Sequence, residues 1–287
     1  MAPIWLITAT SNGLGLRLAL RVLKAGHHVI GTVRDPARSA EAVKAIEDAG
    51  GKIIQLDVTE PQESIHNKMK EAEAIYGHID ILVNNAGYCL LGPLALFTER
   101  EAKLQIQTNF FGPLFVIQGI VPGMQKRRSG IIVNVSSVAG IEGAPSSGMY
   151  AASKFSLEGM SDSLGKELAE FDISVLLVEP GAFRTNFLHG NAVNERGVTD
   201  EWKDTVAHKA LLRYDTVAGK QAGDPDKAVD LIYEVVTGEG KAGALKGKIS
   251  RLILGKDAVT RVSGKIEKLS NDLEACKEFA LSTDIVE

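Results

Sequence analysis

Ile4-Trp5-Leu6-Ile7-Thr8-Ala9-Thr10-Ser11-Asn12-Gly13-Leu14-Gly15 is a short apolar run that breaks into small residues and then opens a helical pattern. The apolar run reads as a buried strand, and the helical pattern extends from about Leu14 to Lys24, with Gly26 as its stop. Gly13 and Gly15 let the backbone come close to a bulky anion. The helix start beyond them offers free N–H groups and the positive end of its dipole. Strand, glycine turn and helix start, in that order, read as a phosphate cradle lined by Thr10, Ser11, Asn12, Gly13, Leu14 and Gly15.

The same alternation runs on. Further strands are expected at Val29–Val33, Ile53–Leu56, Ile79–Val83, Ile131–Val135 and Ile173–Val178. Each is nearly continuous in apolar residues, as parallel strands covered on both faces should be. Helices are expected between them at about Ala40–Asp48, Pro61–Tyr76, Arg100–Ile120 and Tyr150–Glu170. This rhythm predicts an α/β fold with a doubly wound parallel sheet of Rossmann type. No repeat or low-complexity linker divides the chain, so one domain is expected over 1–287, with its core at about 4–190. Residues 186–222 are polar with scattered Phe187, Leu188, Trp202, Leu211 and Tyr214, and read as a mobile substrate lid. Asp224-Pro225 has the chemistry of an N-cap followed by a first helical residue. Arg251–Leu254 reads as a last strand. From 257 to about 281, Val259, Val262, Ile266, Leu269, Leu273, Cys276 and Ala280 recur at 3-4 spacing, an amphipathic helix expected to dock on its own domain, with a subunit contact as the alternative.

The second strand ends at Val33-Arg34. At that place in a dinucleotide fold an acid binds the adenine ribose hydroxyls, and an Arg accommodates a 2′-phosphate. Val33 and Arg34 therefore point to NADP(H) as the preferred cofactor, with NAD(H) possible. Asp57, followed by Val58, stands past the third strand, where its carboxylate could accept from the adenine amino group. The fourth strand ends in Asn84-Asn85-Ala86-Gly87, small enough to let a nucleotide lie across the sheet edge.

A second constellation lies downstream. Tyr150 and Lys154 are four residues apart and share a helix face, shortly after Asn134-Val135-Ser136-Ser137. A cation beside the ring would favour the phenolate and pull the Tyr150 pKa down, so that it could exchange protons near neutral pH. Phenol, ammonium and hydroxyl could then meet one small oxygen-bearing group.

Composition narrows the alternatives. A net charge of −4 provides no basic field for nucleic acid. The six histidines show no metal-ligand spacing, so no metal is expected. Two distant cysteines imply no disulfide framework, and no signal-like start is seen; a cytoplasmic setting is expected. No apolar stretch reaches the roughly 18 residues of a membrane span.

Taken in order, these pieces resemble the short-chain dehydrogenase/reductase family over about residues 4–190. The match comprises the turn at Gly13 and Gly15, Asp57-Val58, Asn84-Asn85-Ala86-Gly87, Asn109, Ser137, Tyr150 with Lys154, and Pro180-Gly181 with Thr185. Tyr88-Cys89-Leu90-Leu91 with Arg34 resembles the 17β-hydroxysteroid-dehydrogenase-like and carbonyl-reductase-like branch. The resemblance implies Tyr150 as the acid in reduction and base in oxidation. It implies Lys154 on the nicotinamide ribose and Ser137, thirteen residues before Tyr150, on the substrate oxygen. Asn109 would help a water link Lys154 to solvent. Pro180, Gly181, Phe183 and Thr185 would cover the nicotinamide, with Ala86 and Gly87 nearby. A homodimer through the Arg100–Ile120 and Tyr150–Glu170 helices, or a homotetramer, is also implied. Two departures stand out: Ala9 replaces the family's first turn glycine, and a long helix replaces its short C-terminal finish.

The expected activity is hydride transfer between NADP(H) and a ketone or secondary alcohol of a mainly apolar small molecule, given the aromatic and aliphatic lid. The rival reading is an NADP-binding sensor, scaffold or cyclase/isomerase-like protein of the same fold without redox turnover.

Overall fold

The computed structural model describes residues 2–285. Seven parallel strands form the central sheet: β1 (Ile4–Ile7), β2 (His28–Val33), β3 (Lys52–Gln55), β4 (Ile81–Asn84), β6 (Gly130–Val135), β7 (Ile173–Pro180) and β9 (Arg251–Leu254). Their order is β3-β2-β1-β4-β6-β7-β9. The chain therefore builds outward from β1 to β3, crosses back to β4 and continues the other way. The crevice at the carboxyl ends of β1 and β4 is the switch point where such sheets bind ligands. A small second sheet pairs β5 (Leu90–Leu91) with β8 (Ala192–Val193).

Helices cover both faces, which explains the unbroken apolar strands. On one face α1 (Gly13–Lys24), α2 (Ala40–Asp48) and α8 (Pro225–Thr237) pack over Trp5, Ile7, Val83, Val133 and Val178. On the other, α3 (Gln62–Tyr76), α5 (Gly112–Arg127) and α6 (Gly148–Leu168) enclose Leu6, Ile30, Leu82 and Ile132. Asp224 caps α8 as its sequence suggests, accepting from Asp226 N at 2.9 Å.

Several boundaries differ from expectation. β3 begins at Lys52 and β4 at Ile81, because pairing with β2 and β1 sets their ends rather than the apolar run. The helix expected at Arg100–Ile120 is α4 (Glu99–Ile106), a π-turn at Gln107–Phe111, and α5. Thr98 and Glu101 form a capping box that starts α4 at Glu99, one residue before the expected Arg100. Pro113 has no N–H to give to the carbonyl four residues back, and the ladder widens directly before it.

Residues 186–222 contain β8 and α7 (Val206–Val217). The largest departure is α9 (Lys256–Leu281). Only Ala258 and Val262 are buried, whereas Val259, Ile266, Leu269 and Leu273 are 53–62% exposed. The expected docking of the whole stripe is thus restricted to its first two turns, against Val138. The compact body ends before the helix does. Among the described residues, no helix is long and apolar enough to cross a membrane, and no group of three or more potential ligands could hold a metal.

Candidate active site

Tyr150 occupies the first turn of α6, and Lys154 lies one turn on; both are buried. β6 ends just before Ser137, whose hydroxyl accepts from Ala139 N at 3.1 Å and so starts a short helical turn. These elements converge at one wall of a cavity of about 370 Å³ at the carboxyl end of the sheet. The wall also carries Ser11, Asn12, Gly13, Leu14, Gly87, Pro180, Gly181, Phe183 and Thr185. Twelve residues singled out from five separate stretches of sequence therefore share one space.

The charges differ from the sequence expectation. Lys154 Nζ donates to Val135 O at 2.8 Å and lies 5.9 Å from the Tyr150 ring centre. At that distance the ammonium does not dominate the phenol. Burial pushes the Tyr150 pKa up, and only the neighbouring Ser137 hydroxyl works the other way. Tyr150 accordingly keeps its proton at neutral pH. Burial also pushes Lys154 down to about 8, while Glu158 opposes that fall. The Cys89 thiol, buried beside the same cavity, is pushed up to about 12.

Behind Lys154 lies an acidic cluster. Glu158 and Glu179 are buried, and Arg251 Nε is 3.2 Å from a carboxylate oxygen of each, while its NH2 reaches Asp162 at 2.7 Å. One guanidinium does not satisfy two buried carboxylates, so burial and then Glu158 raise Glu179 to about 7.

Asn109 is buried in the π-turn, where it holds Tyr88 through both N (3.1 Å) and O (3.0 Å) and donates to Ser153 Oγ at 3.0 Å. It does not line the cavity; it braces the loop after β4. A Cβ at Gly87 would stand 3.2 Å from Asn109 Oδ1 and 3.6 Å from Lys154 Nζ, which explains the glycine.

At the turn after β1, Gly13 has φ +59° and lines the cavity. Asn12 makes no side-chain cap on α1, leaving the first N–H groups of the helix open. Gly15 is packed so closely that a Cβ would come within 2.5 Å of Ala9 O. Ala9 adopts φ +57°, the left-handed conformation that a glycine would occupy freely. A close-packed turn with unpaired N–H groups suits a pyrophosphate.

Other residues expected at the cofactor turn elsewhere. Thr10 is buried and donates to Thr32 O at 3.1 Å, tying the turn to β2. Val58 faces the core, where it packs against Gly112. Asn84 donates to Asn134 Oδ1 at 2.9 Å in a buried chain that continues to Ser161. Asn84 ends β4, and with its side chain taken up in that buried chain it is not part of the cavity wall. Ala86 N donates to Thr8 Oγ1 at 3.0 Å. Asp57 and exposed Arg34 lie at the outer, β2–β3 end, beyond the cavity wall; one Asp57 oxygen accepts from Thr59 N at 2.9 Å.

Other wall residues are not expected at the site individually, Asn85 being read only within the Asn84–Gly87 motif. Asn85 Nδ2 donates to Thr8 O at 3.0 Å and Ala9 O at 3.1 Å, holding the phosphate turn against β4. Gln221, on the far side of α7, is 4% exposed, and both of its amide atoms are buried without a partner. Asp257, at the start of α9, accepts from Ala182 N at 2.8 Å, and Arg261 pairs with Glu142 at 2.6 Å. The last three come from segments remote in sequence that only folding joins to the motif.

A model of the short chain dehydrogenase family matches residues 3–195. Oxidoreductase BOA17 of Botryotinia fuckeliana is 31% identical over 284 residues, 99% of this chain and 100% of that protein. A 3-ketodihydrosphingosine reductase of Bacteroides thetaiotaomicron is 37% identical over 70% of this chain and 72% of its own. Retinol dehydrogenase 8 of Homo sapiens is 39% identical over 63% and 59% respectively. Among solved structures, a short-chain dehydrogenase from Streptomyces avermitilis superposes with TM-score 0.86 at 34% identity, covering 99% of both chains. A metagenomic short-chain oxidoreductase in complex with NADP gives TM-score 0.66 at 25% identity, over 87% of this chain and 95% of that one. The chain belongs to the short-chain dehydrogenase family and is an oxidoreductase.

Proposed function

We propose that this short-chain dehydrogenase transfers a hydride between NADP(H) and a ketone or secondary alcohol of a mainly apolar small molecule. The observation that carries the reading is the junction of Tyr150, Ser137 and Lys154 with an open phosphate turn in one cavity. Ser11, Asn12, Gly13 and Leu14 would hold the pyrophosphate, and Pro180, Gly181, Phe183 and Thr185 would flank the nicotinamide. Arg34 would face the 2′-phosphate of NADP. The bound cofactor supplies the hydride in reduction and accepts it in oxidation.

The protein's own groups handle the proton and the geometry. Ser137 orients the substrate oxygen toward Tyr150. Tyr150, which holds its proton well above the usual phenol range, donates it to that oxygen in reduction. Lys154 fixes the ribose and offsets the charge left on the phenolate, and Glu158 keeps Lys154 protonated against its burial. Asn109 holds the loop that carries Gly87 against this pair.

Phe187, whose ring centre is 6.1 Å from that of Tyr150, Leu188 and Tyr214 form the outer wall from residues 186–222. They support an apolar substrate body, with this segment as its lid. Two relatives are named for reduction of a keto compound and dehydrogenation of an alcohol, the two directions of this reaction.

The test is NADPH oxidation against a panel of ketones of increasing apolar bulk, with Tyr150→Phe as control. Turnover that depends on Tyr150 and improves with apolar size is expected. NADPH binding with no turnover of any ketone or alcohol would select the rival reading of a non-redox binding protein.

A further inference from the structure

Helix α9 is 26 residues long, roughly 39 Å at 1.5 Å per residue, yet it touches the body of the protein only near its start. Seven of its apolar residues form two series at seven-residue intervals, Val259, Ile266, Leu273 and Ala280, and Val262, Leu269 and Cys276; exposed Phe279 flanks the seam and exposed Leu281 lies off it. Val262 is taken by its own domain; from Ile266 outward the seam is exposed, with Ile266 at 62%, Leu269 at 53% and Leu273 at 59%.

The form of this stripe decides what covers it. A helix docked on a globular face usually shows a stripe at least 100° wide, whereas a strict seven-residue repeat makes the narrow seam of a supercoiled pair. The flanks carry Lys265 and Asp272 before the seam positions and Lys277 after one. The helix holds five basic residues (Lys256, Arg261, Lys265, Lys268, Lys277) and five acidic ones (Asp257, Glu267, Asp272, Glu274, Glu278). It therefore has no net charge to draw it to an anionic lipid surface.

We propose that α9 pairs in parallel with α9 of a second copy of this chain, as a short two-stranded coiled coil that begins at Ile266. Within the pair, β-branched Ile266 in one series with Leu269 in the other follows the pattern of parallel two-stranded pairs, and Leu273 and Ala280 continue the first series. In that arrangement Asp272 of each copy faces Lys277 of the other, an attraction made twice by symmetry. Cys276 of each copy then meets its equivalent across the seam.

Cys276 provides the readout. It is the exposed one of two cysteines, Cys89 being buried. The full-length chain at high micromolar concentration is treated with diamide, which takes the two thiol hydrogens as the S–S bond forms, and is run on a non-reducing gel. A covalent dimer that vanishes in Cys276→Ser is expected. In Ile266→Asp with Leu273→Asp, whose wild-type side chains are already exposed, its formation should slow by roughly tenfold or more, because two carboxylates would enter the seam of each helix. Circular dichroism and NADPH binding should stay unchanged in that double variant. Absence of the wild-type dimer, or equal rates in wild type and double variant, would overturn the pairing. So would co-sedimentation with phosphatidylserine vesicles that the double variant alone loses while its cross-linking persists.

Discussion

Replacing Ala9 by glycine isolates the cost of one backbone conformation at the phosphate turn. Ala9 has φ +57°, and its carbonyl is held by Asn85 Nδ2 at 3.1 Å, so the residue cannot relax without breaking that contact. The left-handed conformation costs an L-residue about 1–2 kcal/mol. Glycine avoids that cost but gives up about 0.5–1 kcal/mol through its freer unfolded chain. The difference predicts that Ala9→Gly is about 0.5–1 kcal/mol more stable. In a chain of this size that is roughly 1–4 °C in Tm. The measurement is a reversible thermal or urea transition of the free protein. A paired calorimetric titration with NADPH asks whether the Ala9 methyl also crowds the ligand, in which case the glycine variant binds more tightly. Ala9→Val is the opposing control: a β-branched residue at positive φ should destabilise. A glycine variant that is less stable than wild type would refute the strain, and a valine variant of wild-type stability would refute the conformation itself.

Tyr150→Phe should cut turnover by at least ~10²-fold with NADPH binding little changed, as single-turnover and fluorescence titrations would report. Arg34→Ala should lower kcat/KM with NADPH by roughly tenfold or more and leave NADH unaffected, since only the charge-assisted phosphate contact is removed. Native preference for NADH would contradict the NADP reading. Glu179 binds its proton more tightly folded, at about 7, than in an unfolded chain near 4.5, so its contribution to stability is lost as pH rises through that window. Glu179→Gln should therefore gain on wild type by up to about 3 kcal/mol between pH 4 and pH 8 in urea titrations, and an offset independent of pH would exclude the titration. Gln221→Leu should raise Tm by removing a buried unpaired amide while raising substrate KM roughly tenfold; a change in only one of the two would mean that the amide does not serve the ligand.

The architecture was legible because its determinants are local and periodic. Apolar strands of four to eight residues, alternating with helical patterns, require a sheet covered on both faces, and the first turn's glycines mark where the chain leaves β1. Tyr150, Lys154 and Ser137 were legible for the same reason: helix periodicity sets the first pair on one face, and the end of β6 delivers the third. Local pattern failed where a side chain's direction depends on its neighbours. Asn84 and Asn85 are adjacent and identical, yet strand alternation sends one into the Asn134 chain and the other to the Ala9 carbonyl. The expected pull of Lys154 on Tyr150 was overruled because burial, a property of the packed assembly, outweighs a cation 5.9 Å from the ring. Gln221, Asp257 and Arg261 reach the cavity only because α7 and α9 return to the end of the sheet. The seven-residue stripe of α9 was present in the sequence, but which residues it leaves uncovered was decided by where the body of the protein ends. Sequence set the elements and the chemistry they carry, since hydrogen bonding and hydrophobic period act over a few residues; tertiary structure alone decided exposure, protonation and company, since these depend on groups brought together from far along the chain.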